Sequence, residues 1–153
     1  MVITNIKDAI KWLIDNYGGQ NDGAYIDRTN KNFLNKVVGY RYTITGKHWK
    51  KFLVTCRPRG VTSFTKAGKG AMTMMNLSEI NAQIKEGRDR LVVFQEQDVV
   101  RAYVFKTSDI VKSIETGDAE KIHEFKKYPN ESEAGYNIPI KIGVNLSDFL
   151  EQD

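Results

Sequence analysis

Lys36-Val37-Val38-Gly39-Tyr40-Arg41-Tyr42-Thr43-Ile44-Thr45, then Gly46-Lys47-His48, then Trp49-Lys50-Lys51-Phe52-Leu53-Val54-Thr55-Cys56-Arg57 before Pro58: the reading of this stretch decides the fold. Both arms are rich in β-branched and aromatic residues, which suit a pleated, half-buried surface, and a short turn joins them. Pro58 cannot donate to a ladder and stops the second arm. A β-hairpin is predicted. Side chains alternate along a strand, so Lys51, Leu53, Thr55 and Arg57 share one face, and Lys50, Phe52, Val54 and Cys56 share the other. Lys51 and Arg57 are then expected beside Arg41 on one sheet face, a surface shaped for phosphate.

Upstream, residues 4–17 have helical spacing, with Thr4 as N-cap, Ile6, Ile10, Leu13, Ile14 and Tyr17 inward, and Gly18-Gly19 as the stop. Tyr25-Ile26 reads as a short strand, and Asp27-Arg28-Thr29-Asn30 as a helical turn carrying Phe33 and Leu34. Downstream, residues 59–76 read as a Gly-punctuated loop. Asn76-Leu77-Ser78-Glu79 is an Asn version of the capping box. Its helix has the stripe Leu77, Ile80 and Ile84 and ends at Gly87.

Leu91-Val92-Val93-Phe94 is a near-continuous apolar run, expected of a strand covered on both faces. Gln95-Glu96-Gln97-Asp98 turns the chain into a returning strand, Val99 to Phe105. A helix capped by Thr107 or Ser108 carries Ile110, Val111 and Ile114. Residues 118–127 read as a short amphipathic helix with Ile122 and Phe125 inward. Ile138-Pro139-Ile140-Lys141-Ile142 reads as an edge strand, and Asn145 caps a last turn with Leu146, Phe149 and Leu150. The prediction is one α+β domain over residues 1–153, a mixed central β-sheet flanked by helices.

This order resembles the α-β-β-β-α-β core of the PD-(D/E)XK, or restriction-endonuclease-like, nuclease superfamily over roughly residues 1–115. Three passages carry the resemblance: the hairpin through Gly39–Ile44 and Phe52–Arg57, the loop and capped helix ending at 76–86, and the hairpin Leu91–Phe94 with Ala102–Phe105 followed by Ser108-Asp109-Ile110. The resemblance implies an Asp where Arg41 stands. It implies Glu or Gln, one residue, then Lys where Thr55-Cys56-Arg57 stands. Mg²⁺ is held by hard oxygen ligands, commonly carboxylates, and an Arg would repel it. The implied protein is a degenerate member without the usual metal site.

The chain of 153 residues is 41% hydrophobic and 27% charged, which excludes a disordered chain, a collagen-like repeat and a disulfide miniprotein. Cys56 stands alone, so it forms no internal disulfide and no Cys-rich zinc site; a buried strand position is expected for it. The opening residues lack a basic region followed by an apolar run, and no stretch approaches the ~18 apolar residues of a membrane span. An intracellular, cytoplasmic protein is expected, with no membrane partner.

Charge placement says more than the net +4. Between Arg28 and Ser78 there is no Asp or Glu, and there are 11 of the 23 basic residues. Twelve bases and all 19 acids lie outside, so the flanks sum to −7. A solvated surface normally mixes signs. Excluding every acid from such a length leaves two explanations. Either a polyanion supplies the negative charge, or the acidic flanks fold back over the basic segment.

The first explanation makes the chain a nucleic-acid-binding protein, for DNA or RNA, with a degenerate nuclease-like fold. Arg41, Lys47, Lys50, Lys51, Arg57, Arg59, Lys66 and Lys69 would contact phosphates, and Trp49 would offer a stacking surface. No cofactor is then needed. A second reading is an active nuclease with relocated carboxylates, Asp22, Asp27 and Glu79, which alone would call for Mg²⁺. Against it, Glu79 fits a capping box and Asp22 a turn. A third reading is a non-enzymatic protein-interaction module with a protein partner. His48, among Lys47, Lys50 and Lys51, and His123, on a helical face, are poor catalytic candidates. No nucleophile elbow, dinucleotide fingerprint or P-loop is present.

Overall fold

The computed structural model describes residues 2–28, 35–46, 49–58, 70–122 and 134–152. Helix α1 (Ile6–Tyr17) is capped by Asn5, whose side chain accepts the Asp8 N–H. Thr4, the expected cap, instead donates its hydroxyl to Asp8 at 2.9 Å. Asn is the stronger cap residue, and the helix starts one position later for that reason.

Strand β1 (Gln20–Asp27) is eight residues long, and not the short strand expected at Tyr25-Ile26. It lies at the edge of its sheet, and its first three residues are exposed, so no apolar alternation marks it. Strands β2 (Lys36–Ile44) and β3 (Lys50–Arg57) form the expected antiparallel hairpin, with Arg41 opposite Leu53 and Thr43 opposite Lys51. Strand β4 (Met72–Asn76) then leads directly into α2 (Leu77–Glu86). The expected loop over 59–76 is thus a strand at its end; residues 59–69 lie outside the described residues. Strand β5 (Asp89–Glu96) runs parallel to β3, and β6 (Val99–Phe105) returns antiparallel to it.

After α3 (Thr107–Thr116), Gly117 adopts φ 82° and Ala119 N–H bonds Ser113 O, which turns the chain out of the helix. The expected helix at 118–127 is therefore replaced by strand β7 (Glu120–Ile122) within the described residues. Strand β8 (Gly135–Pro139) is central in its sheet, not an edge; Pro139 ends it, and Ile140–Ile142 form a 3₁₀ turn. Strand β9 (Val144–Asn145) and α4 (Leu146–Glu151) close the chain.

The fold is α+β. A six-stranded mixed sheet has the order β1-β2-β3-β5-β6-β9, and a small sheet has the order β4-β8-β7. The α-β-β-β-α-β succession is present as α1, β1, β2, β3, α2 and β5, with β4 inserted. Alternation sends Phe52, Val54, Leu91 and Val93 toward α1 and α4, where Leu13, Leu146 and Phe149 meet them. Leu53, Val92 and Phe94 point the other way, toward α2, α3 and the small sheet. Both faces of the large sheet are thus covered, which leaves its ends and edges for binding. No helix among the described residues is long and apolar enough to cross a membrane.

Candidate anion-binding cleft

The C-terminal end of β3 opens into a cleft of about 960 Å³. Thr55, Cys56 and Arg57 line it from β3, Lys36 and Val37 from the start of β2, and Thr73 and Met74 from β4. The loop before α1 and Glu79 of α2 complete it. Its walls come from two sheets because β4, immediately before α2, belongs to the small sheet and not to the large one.

Beneath the cleft lies a buried ionic joint. Arg90, at the start of β5, is fully buried. Its guanidinium donates to Gln83 Oε1 at 2.9 Å, Val38 O at 2.8 Å and Glu79 O at 3.0 Å. Burial pulls it down to about 10, opposed by the nearby Glu79 carboxylate, so it is charged at neutral pH. A fully buried charge requires such company. This joint explains why α2 turns Glu79 and Gln83 inward and leaves Leu77 and Ile84 exposed, against the apolar stripe expected for it. It also fixes Gly39, since a Cβ there would stand 2.7 Å from Arg90 Nη1.

Glu79 therefore serves three partners. Its Oε1 accepts the Asn76 N–H at 3.0 Å, as a capping-box Glu does, and stands 3.9 Å from Arg57 Nη2. Its Oε2 stands 4.0 Å from Arg90 Nη1. Arg57 Nη2 in turn donates to Met74 O at 2.8 Å. The guanidinium is thereby held against one wall of the cleft. The side-chain oxygens of Thr55 and Thr73 are buried without a hydrogen-bond partner, and both residues line the cleft; Thr73 is 2% exposed. Burial pushes the Cys56 thiol up to about 11, with Arg57 acting weakly in the opposite sense, so the sulfur is a protonated thiol at neutral pH.

The other expected site residues lie elsewhere. Arg41 shares the α2 face with Arg57, as alternation requires, but the two do not form one site. Arg41 is opposite Leu53, four residues before Arg57, a separation of ~13 Å along the strand. Its Nε donates to Glu86 Oε1 at 2.8 Å, its Nη2 bonds the same oxygen, and the guanidinium sits 4.8 Å from the Tyr25 ring centroid. Lys51 is exposed at the far end of β3. Beside it, Trp49 is 64% exposed, and the Lys50 ammonium lies 5.2 Å from the Phe149 ring centroid. Lys47, Arg59, Lys66 and Lys69, like His48 and His123, lie outside the described residues.

Asp22 accepts from Gln20 and from the Thr43 hydroxyl, near the far end of β2. Asp27, five residues and ~16 Å further along β1, lies opposite Lys36. Asp22 is therefore not brought to Asp27 and Glu79. Among the described residues, no three His, Cys, Asp or Glu side chains gather as a metal-binding group. Among the described residues lining the cleft, Glu79 is the only carboxylate, and two arginines and a backbone N–H already engage it. This donor set does not fit Mg²⁺, which is held by hard, preferably anionic oxygens.

Sequence reasoning missed Lys36, Thr73, Met74 and Arg90. Arg90 had a signal, a base directly preceding the apolar run Leu91–Phe94, where an unpaired charge is unexpected. Thr73 and Met74 had none beyond the Met72–Met75 cluster.

No family model matches the chain, and no curated protein matches it. Among solved structures the chain is similar to D212, a nuclease from a fusselovirus, at 13% sequence identity and a TM-score of 0.48, over 94% of this chain and 82% of that chain.

Proposed function

We propose that this protein binds nucleic acid by its phosphates, with Arg57 and Lys36 at the cleft as the central contacts, and that it does so without a divalent ion. One observation carries the reading. Two cations from the acid-free segment 28–78, Lys36 and Arg57, line the same recess. Guanidinium and ammonium are donors that phosphate oxygens take. Arg41, paired with Glu86, does not line the cleft and is given no part in this binding. Trp49 and Lys51 form a second exposed cationic and aromatic pair at the opposite end of β3, which a longer strand could reach.

The test is binding to labelled DNA and RNA across a salt series. Log K is expected to fall linearly with log salt, by roughly 0.7–0.9 per phosphate neutralised. A flat dependence, or no binding at about 50 mM salt, overturns the reading. Cleavage by a nuclease route would need carboxylates where Arg41 and Thr55 stand, and no metal-dependent step is proposed.

A further inference from the structure

Resting on that reading, we infer that the cleft takes an unpaired nucleotide, so that the protein prefers single-stranded over duplex nucleic acid. The cations supply only part of its lining. Val37 and Met74 are 43% and 39% exposed, although both are large apolar residues on strands of well-packed sheets. Both line the cleft, in company with Ile6, Tyr40 and Pro58. Apolar surface of this kind, gathered in one recess beside fixed cations, suits a ligand with an anionic end and an apolar flat body. The volume falls within the range of about 300–1,000 Å³ found for sites that enclose a small molecule.

A duplex offers a protein surface its phosphates and sugars while its bases stay stacked inside. It would set its phosphates beside Arg57 and Lys36 and leave Val37 and Met74 in water. An unpaired strand can turn a base out of the stack, lay it against that apolar wall and leave its phosphate on the cations. Arg57 suits this division of labour, since Met74 O and Glu79 hold its guanidinium at the wall that Met74 itself forms.

The experiment compares an oligothymidylate with a duplex of equal length at one low salt concentration, by fluorescence anisotropy. Wild type is set beside the double variant Val37→Thr, Met74→Gln, which keeps shape and charge while making the wall polar; Arg57→Gln is a third arm. Wild type is expected to bind the single strand at least tenfold more tightly. The double variant should lose most of that preference while keeping its duplex affinity, and Arg57→Gln should weaken both ligands. Equal affinity of wild type for the two ligands overturns this inference and leaves phosphate binding standing, as does a preference that the double variant retains in full. Absence of binding to either ligand overturns the proposed function itself. Circular dichroism and thermal melting of each variant show that it is folded.

Discussion

Arg41 and Arg57 come from the same acid-free segment, lie on adjacent strands and point to the same face, yet they do different things. Glu86, near the end of α2, takes Arg41 through two nitrogens, and Tyr25 covers it. Glu79, in the first turn of the same helix, stands at 3.9 Å from Arg57 and is shared with the buried Arg90. One helix thus bonds one arginine with a carboxylate of its own and meets the other only at 3.9 Å with a shared one, while the two side chains are equally exposed, 30% and 31%. A run of bases in a sequence is therefore not yet a basic surface. The partner that each cation meets after folding decides whether it is structural or available.

Substitutions at the two ends should separate in size. The largest effect is expected at the shared carboxylate. Glu79→Gln leaves Arg90 charged, buried and without its counter-ion, and should destabilise the fold by about 3–5 kcal/mol in denaturant unfolding. A loss below about 1 kcal/mol would show that Gln83 and the backbone carbonyls suffice for Arg90. Gly39→Ala comes next. It forces a Cβ to 2.7 Å from Arg90 Nη1 and 3.0 Å from Leu53 Cβ, and should cost about 1–3 kcal/mol by the same measurement.

The third test sets the two arginines against each other. Arg57→Gln should lower oligonucleotide affinity several-fold and reduce the salt slope by roughly 0.7–0.9, as one lost phosphate contact does. Arg41→Gln should leave both unchanged and cost no more than about 1 kcal/mol of stability, because its ion pair is part-exposed. Equal losses of affinity from the two variants would erase the distinction drawn between them. The smallest effect is at Cys56, which reports on the cleft end alone. With its thiol near 11, alkylation should be slow at neutral pH and climb steadily up to about pH 11, and an oligonucleotide should slow it further. A rate that levels off near pH 8.5, or ignores the oligonucleotide, would place the sulfur outside the cleft's influence.

The hairpin of β2 and β3 and that of β5 and β6 were legible because their residues alternate or run apolar at strand length. Strand β1 was not, since an edge strand has no apolar face to advertise. Strand β4 followed a stretch rich in Gly and Lys, and its five residues fell below the length at which alternation is distinct. The helix α2 was located correctly but its inward face was misjudged. Glu79 and Gln83 look like solvent residues until Arg90, seven positions after Gln83, is placed beneath them. The same holds for the cleft. Arg57 could be singled out by charge, but Lys36, Thr73 and Met74 join it only through the parallel crossover and the second sheet, and chain separation conceals both.

The bond from Arg57 to Met74 O also bears on how copies of this protein behave toward one another. Strand β4 is an outer strand of its sheet, and Leu77 N–H and Ala71 O bond toward the β8 side. The even-numbered positions 74 and 76 consequently present their backbone groups to the open side. There Arg57 occupies the Met74 carbonyl and Glu79 the Asn76 amide. Side chains thus occupy two of the backbone groups that a foreign strand would need for edge-to-edge pairing, which works against such pairing at this end of β4.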